Sequence, residues 1–286
     1  MIGWIKRRLK KPDDPKAQLK EVLGDFQLPT FPLVANRALT LLRDPNVSLT
    51  AAGDALAEDP ALSSRVLQLA NSSAFATRHA VRSVGHAASL MGRGQLESVI
   101  LTAVVGKVLP APSIASFDTQ RFWRAAARRA CTARSLAALV HPKTKSETFT
   151  ASLLGDMAIP LLGQAHGARY GAVYAQWHAD GGCLARLERE ALGFDHANVA
   201  GWVAESWKFP QPLTDAIGAH HDGASDGDAV GPAIGLVAPL GELDDPRSID
   251  EVVEGVASRF GMPTDTVLGI LEASRAEADD IAARMT

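Results

Sequence analysis

The sequence predicts an all-α protein, and three observations support this prediction. Apolar residues recur at intervals of three and four along nearly the whole chain, which is the spacing that lines one face of an α-helix. No segment shows the alternation of apolar and polar residues expected of a half-buried β-strand. Residues that commonly begin helices, such as Ser48 and Asp59, precede several of the apolar runs. We therefore expect a multi-helix bundle.

The first half of the chain predicts a small helical lobe over residues 25–110, preceded by a basic segment at 1–24. Ser83 caps a short helix that ends near Gly92, and a longer apolar helix follows. The remaining predicted boundaries are a start at Thr30-Phe31-Pro32, an end at Asp44-Pro45, a cap at Ser48 and a start at Asp59-Pro60.

Residues 109–117, LPAPSIASF, form the predicted junction because two prolines and small polar residues stand there without any periodicity. A larger helical bundle is expected over residues 117–245, with two C-terminal helices in 246–286 packing on it. The predicted helices of the bundle cover residues 119–140, 147–162, 168–178, 184–192, 196–208 and 212–221.

Composition narrows the class of protein. The 286 residues include 29 basic and 32 acidic ones, for a formal net charge of -3, so the whole molecule has no electrostatic bias toward nucleic acid. No recognition helix adjoins a basic surface, and we expect no sequence-specific nucleic-acid partner. The two cysteines lie far apart and lack metal-binding spacing, and no apolar run is long enough to span a membrane. A cytoplasmic protein is the prediction.

The N-terminal residues 1–12 place apolar side chains on one helical face and lysines and arginines mostly around the other. Such a segment could lie on an anionic membrane surface. The alternative is a solvated tail, which we favour because one short basic helix binds membranes weakly.

Three stretches together resemble the HDOD family, an output module of bacterial signal transduction related to the HD metal-dependent phosphohydrolases. They are LPTFPLVANRALTLLRDPNVSLTAAGDALAEDPALSSRVLQLANSSAF at 28–75, SLLGDMAIPLL at 152–162 and LEREALGFDHANVAGWVAESWKFPQPLTDAIGAHH at 187–221. The resemblance covers most of residues 25–245. It implies an HD-like helical core preceded by a smaller helical lobe, in agreement with the periodicity.

The resemblance also implies where the metal ligands of an active HD enzyme would fall. Three of those positions carry residues that cannot bind a metal through their side chains, namely Ala125, Gly155 and Pro239. The ligand candidates that remain are Asp156, His196 and one of His220 or His221. We therefore expect a degenerate site with no catalytic residues, no metal and no other cofactor.

The remaining candidates also have structural interpretations. Asp156 could accept hydrogen bonds from a histidine or a helix N-terminus, since buried polar groups need partners. His196 follows Asp195, a plausible N-cap, and would then be a packed histidine. His220 and His221 would point about 100° apart on a helix, so that only one of them could face the pocket.

Arg121, Arg124 and Arg128 lie three and four residues apart on one predicted helix, which aligns their guanidinium groups on one stripe. Such a stripe could contact an anion or an acidic partner. The alternative, which we favour, is a solvated face of an amphipathic helix.

Taken together, the sequence predicts a non-catalytic regulatory module that acts through contacts with a signalling protein, with a small-molecule ligand as an option in the old HD pocket. The alternative is a metal-dependent phosphohydrolase with a reduced ligand set, because three protein ligands suffice in some catalytic metal sites.

Overall fold

A computed structural model describes residues 14–75, 80–221, 231–242 and 246–285, with only the backbone described at 231 and 232. Every regular element in these ranges is a helix, which confirms the predicted fold class. Residues 1–12, for which the sequence favours a solvated tail over a membrane-surface helix, lie outside the described residues. Among those that are described, no helix is both long and apolar enough to cross a membrane.

The first lobe and the segment before it contain five α-helices among the described residues, and three of these helices begin at the predicted caps. Ser48, Asp59 and Ser83 each accept a hydrogen bond from a backbone N–H of the next helix. Gly92 has a φ of 74° and interrupts the last helix, so the predicted break at this glycine is confirmed. The helices are α1 Pro15–Leu23, α2 Leu33–Arg43, α3 Leu49–Ala57, α4 Pro60–Ala70 and α5 Val84–Val108.

The second part follows the helix-free junction at 109–117. Its helices are α6 Thr119–Val140, α7 Lys145–Leu154, α8 Ala158–His166, α9 Ala168–Asp180, α10 Leu184–Leu192, α11 His196–Ser206, α12 Gln211–Gly218, α13 Gly231–Val237, α14 Pro246–Phe260 and α15 Thr264–Met285.

The predicted helix over 147–162 is in fact two helices, α7 and α8, separated by a turn at 155–157. Pro160 explains the turn because it has no N–H to give to the carbonyl four residues earlier, at Asp156. The N–H of Ile159 donates to that carbonyl instead, at 2.9 Å, and tightens the turn. Asp156 therefore lies at a helix junction rather than on a continuous buried face.

One apolar core runs through both parts of the molecule, from Leu19 in α1 to Met285 in α15. Helix α15 packs along α6 and also reaches the first lobe, where the guanidinium of Arg65 donates to the carbonyl of Met285 at 2.5 Å. Arg284 donates to the carbonyl of Gln68 at 3.1 Å. The C-terminal helix thus ties the two parts together.

Candidate functional site

The candidate site is built around the carboxylate of Asp156, in the turn between α7 and α8. His196 Nε2 and His220 Nε2 each lie 3.3 Å from Oδ1 of Asp156. His221 Nε2 lies 3.0 Å from His196 Nε2. One ligating atom from each of these four residues falls within 4.8 Å of the other three. The structure therefore brings together all four residues that the sequence nominated.

His196 is held by groups outside this cluster. Asp195 caps α11 by accepting from the N–H of Asn198 at 2.9 Å, as the sequence predicted. The ring Nδ1 lies 2.6 Å from Oε2 of Glu188, which also accepts from the backbone N–H of His196 at 2.8 Å. Because Glu188 fixes Nδ1, the other ring nitrogen must face Asp156 and His221.

Glu188 is fully buried in α10, where a lone carboxylate would be costly. Its second oxygen accepts from the hydroxyl of Tyr170 in α9 at 2.5 Å. Sequence analysis missed both residues. One signal was available, since Glu188 follows the buried Leu184 by four residues and so lies on the apolar face of α10.

His220 and His221 both reach the cluster, so the prediction that only one of them could do so is wrong. The prediction assumed a helix through residue 221, but α12 ends at Gly218 and the histidines lie in the turn that follows. The 100° spacing of helical side chains does not apply there. His220 Nδ1 lies 2.7 Å from the carbonyl of Ile217, so Nε2 points toward Asp156.

A close helix crossing brings the histidines together. A Cβ atom added to Gly201 in α11 would lie 3.1 Å from the Cα of Gly218 at the end of α12. Any larger side chain at this crossing would push the two helices apart. His196 at the start of α11 and His220 just after α12 meet because the two glycines allow this approach.

Arg129 from α6 completes the cluster. Its guanidinium forms an ion pair with Oδ2 of Asp156, and the arginine side chain is only 8% exposed. A second nitrogen of the same guanidinium donates to the carbonyl of Leu240 at 2.7 Å. Sequence analysis did not nominate Arg129 for this site, because its partners are distant in the chain.

The charges in the cluster are set by these contacts. Burial would raise the pKa of Asp156, but Arg129 and the histidines hold it well below its ordinary value. Burial would likewise lower the pKa of His196, yet Glu188 and Asp156 raise it well above its ordinary value. Burial, aided by the charges of His220 and His196, lowers the pKa of His221 to about 2. These contacts favour the charged form of His196 and the neutral form of His221.

These side chains fit a divalent metal ion in donor type but not in charge. Three imidazoles and one carboxylate are ligands that zinc, iron and manganese accept. The Nε2 atom of His220 is buried and makes no aligned hydrogen bond to the described residues, so it is available as a ligand for a metal ion. Against this, the guanidinium of Arg129 already supplies a positive charge to Asp156 and would repel a metal ion bound there.

The positions implied to have lost ligands lie in different places. A Cβ atom on Gly155 would be 3.4 Å from two ring atoms of His220, and Pro239 lines the same cavity as Asp156. Ala125 instead lines a separate cavity of about 330 Å³, together with Arg124, Arg128 and others. From α6 it is Arg129, one turn later, that enters the Asp156 cavity.

The Asp156 cavity has a volume of about 560 Å³ and is mixed in chemistry. Besides the cluster itself, its lining residues include Trp177, Cys183, Arg186 and Arg247. A volume of this size accommodates a small ligand.

The predicted arginine stripe on α6 is not a uniformly solvated face. Arg121 donates to the carbonyl of Ser116 at 2.9 Å, and Arg124 pairs with Asp279 of α15 at 2.9 Å. Arg128 is buried, at 7% exposed, so the interpretation as a solvated face is wrong at that residue. The long helix α15 covers this side of α6.

Solved structures with the same fold cover nearly the whole chain. A protein from Shewanella amazonensis, provisionally named a phosphohydrolase, has a TM-score of 0.74 and 21% identity over 94% of this chain and 98% of its own. An HDOD domain protein of unknown function from Geobacter sulfurreducens has a TM-score of 0.74 and 20% identity over 95% and 97%. A Marinobacter aquaeolei protein, provisionally named for signal transduction, has a TM-score of 0.71 and 21% identity over 95% and 65%.

Sequence comparison is more decisive about the family. No curated protein sequence matches the chain significantly. The model of the HDOD domain matches residues 28–223, which is more than half of the chain and contains Arg129, Glu188 and the four clustered residues. By this match, and in agreement with its fold, the chain belongs to the HDOD domain family.

Proposed function

We propose that this protein is a non-catalytic regulatory module of bacterial signal transduction, which acts in the cytoplasm through contacts with a signalling protein. The observation that carries the proposal is the buried ion pair between Arg129 and Asp156. Metal-assisted hydrolysis begins with a positioned ion that activates water. In this chain the carboxylate that would hold such an ion already has a permanent cationic partner.

The contacts of the carboxylates support the same proposal. Glu188 accepts from the backbone N–H of His196 and lies 2.6 Å from its Nδ1, while Nε2 of His196 faces Asp156 and His221. Both carboxylates therefore already have partners within the protein, and Arg129 balances the charge of Asp156.

The cavity beside the cluster gives the regulatory proposal a place for a small-molecule ligand. Its volume of about 560 Å³ falls within the range of small-molecule sites. Trp177 offers an aromatic surface there, and Arg186 offers a cationic one. A ligand bound at this point would contact α9, α10 and α11 together, and could bias the surface that a signalling partner reads.

A second candidate function is a metal-dependent phosphohydrolase with a reduced ligand set, acting on a phosphodiester or nucleotide. The buried Nε2 of His220 favours it, because this nitrogen lacks an aligned hydrogen bond among the described residues and faces Asp156. The contact between Glu188 and His196 favours it as well, since carboxylates commonly orient metal-binding histidines in this way.

Metal content and turnover of the wild-type protein distinguish the two candidates. Tag-free protein would be purified without chelators from cells grown with added manganese, iron and zinc, and its metals measured by elemental mass spectrometry. The same samples would be assayed with bis(p-nitrophenyl) phosphate, p-nitrophenyl phosphate and a cyclic dinucleotide. We expect neither a stoichiometric ion nor turnover. Turnover that Asp156→Ala abolishes would establish the phosphohydrolase and overturn the regulatory proposal.

A further inference from the structure

Arg129 joins the three segments that carry or adjoin the positions of the lost ligands. It lies in α6, one turn after Ala125. One of its nitrogens pairs with Asp156, which is next to Gly155. Another donates to the carbonyl of Leu240, which is next to Pro239. A metal ion held at those positions would have linked the same three segments.

We propose that the guanidinium of Arg129 replaces a divalent cation as the charged link between these segments, and that it is the group which keeps the Asp156 cluster from binding one. This inference rests on the proposed non-catalytic function and explains it at the level of one residue. It assigns a role to Arg129 in particular, because the other members of the cluster are all metal-ligand types.

The charges of the cluster support this role. Arg129 pairs with Asp156, and the imidazole of His196 lies between Asp156 and Glu188, so that one permanent positive charge stands beside two carboxylates. An imidazole can bind a divalent cation through its lone pair, whereas the guanidinium of an arginine keeps its charge. With Arg129 in place the metal-bound cluster would carry an excess positive charge in a buried site, and this is unfavourable.

Geometry supports it independently of charge. The guanidinium of Arg129 donates to Oδ2 of Asp156, whereas His196 and His220 lie beside Oδ1. Removing the guanidinium would free the whole carboxylate and leave three imidazoles around it. Four donors of this kind form a complete tetrahedral ligand set for zinc.

The test compares Arg129→Met with Arg129→Lys. Methionine keeps an unbranched, flexible side chain in the protein interior but removes the guanidinium and its charge. Lysine keeps the charge and is the matched control. Tag-free wild type and both variants would be stripped with a chelator and titrated with zinc alone against a chromophoric competitor, while thermal unfolding is followed with and without zinc.

We expect Arg129→Met to bind one zinc ion per chain at least about tenfold more tightly than wild type or Arg129→Lys, because a nearby unit charge typically changes such an equilibrium by one to three powers of ten. Zinc should also raise the unfolding temperature of Arg129→Met and leave that of the wild type unchanged. Adding Asp156→Asn or His220→Ala to Arg129→Met should abolish both effects.

Each alternative result decides the matter. Equal zinc affinity for the wild type and Arg129→Met overturns the inference, as does zinc binding that survives both second substitutions. If Arg129→Met unfolds without metal, recovery of the native circular dichroism spectrum in zinc supports the inference, and failure to recover overturns it. Phosphoester turnover by the wild type would instead overturn the proposed function, and so the two failures are distinguishable.

Discussion

Glu188 and Glu242 are both carboxylates with buried side chains that accept a hydrogen bond from a tyrosine of α9, Tyr170 in the first case and Tyr174 in the second. Each also has a histidine beside it. Nδ1 of His196 lies 2.6 Å from Glu188, whereas Nε2 of His178 lies 3.5 Å from Glu242 and makes no aligned hydrogen bond among the described residues.

This difference in distance changes the protonation of the two groups. Glu188 stabilises the charged form of His196, whose pKa lies well above its ordinary value. Burial lowers the pKa of His178, and burial raises the pKa of Glu242 to about 7 against the opposing effects of Tyr174 and the nearby arginines. The same three residue types thus form a charged pair beside Asp156 and a titratable group near Gly241. Substitutions at matched positions test this contrast.

The largest effect is expected at Glu188. Glu188→Gln removes the nearer of the two carboxylates beside the buried His196, and breaking a buried pair in this way typically destabilises a protein by about 3–5 kcal/mol. Urea denaturation at pH 7 measures the change in the free energy of unfolding. Glu242→Gln is the matched control and should cost far less at this pH. An equal loss in the free energy of unfolding for the two variants would mean that the pair of Glu188 and His196 stabilises the protein no more than the contacts of Glu242 do.

The second expected effect is that the stability of the protein depends on pH through Glu242. Its pKa is about 7 in the folded protein against 4.5 for an ordinary glutamate, so between these values the native state binds a proton that the unfolded chain has released. Stability from this group is therefore present below about pH 4.5 and is lost as the pH rises through 7, by up to about 3 kcal/mol.

Glu242→Gln should remove this loss because the amide does not ionise. Urea denaturation at pH 5, 6, 7 and 8 would measure the free energy of unfolding of the wild type and of Glu242→Gln. The stability of the variant should rise relative to that of the wild type as the pH rises. A difference that stays constant over this range would show that Glu242 does not titrate there.

A smaller contrast is expected between the two tyrosines. Tyr170→Phe removes the donor to the fully buried Glu188 and should cost about 1–3 kcal/mol, the usual penalty for leaving a buried acceptor without a partner. Tyr174→Phe should cost less below pH 7, since Glu242 can then hold a proton of its own. Thermal unfolding at pH 6 compares the variants, and a larger loss for Tyr174→Phe would contradict this ordering.

The smallest effect is expected at His178. His178→Phe keeps an aromatic ring among Tyr174 and Trp177 and removes no aligned hydrogen bond to the described residues, so it should change stability by less than about 1 kcal/mol. Urea denaturation at pH 7 would test this. A loss comparable to that of Glu188→Gln would show that His178 and Glu242 form a strong pair after all.

The fold could largely be predicted from the sequence, because caps at Ser48, Asp59, Ser83 and Asp195 and the glycine at 92 act locally. The predicted helix boundaries were wrong where a residue later in the chain, or one in a neighbouring helix, determines where the helix ends. Pro160 breaks the helix before it at residues 155–157, and the end of α12 at Gly218 accompanies a close approach to Gly201 in the neighbouring helix.

The site could be predicted only in its metal-ligand residue types. Asp156, His196, His220 and His221 stand out because these residue types are recognisable in a familiar order. Arg129 and Glu188 could not be identified in this way, since an arginine and a glutamate on helices ordinarily face solvent. They belong to the site only through their contacts with Asp156, 27 residues from Arg129, and His196, 8 residues from Glu188.

Helix α15 also bears on where this chain can be divided. The family match ends at residue 223, yet Ala278, Ile281, Ala282 and Met285 belong to the same apolar core as the helices before it. A fragment cut at the family boundary would open that core along α6 and release the contacts of Arg65 and Gln68 with the last turn of α15. The smallest fragment that keeps this core closed therefore runs to Met285, about sixty residues past the boundary.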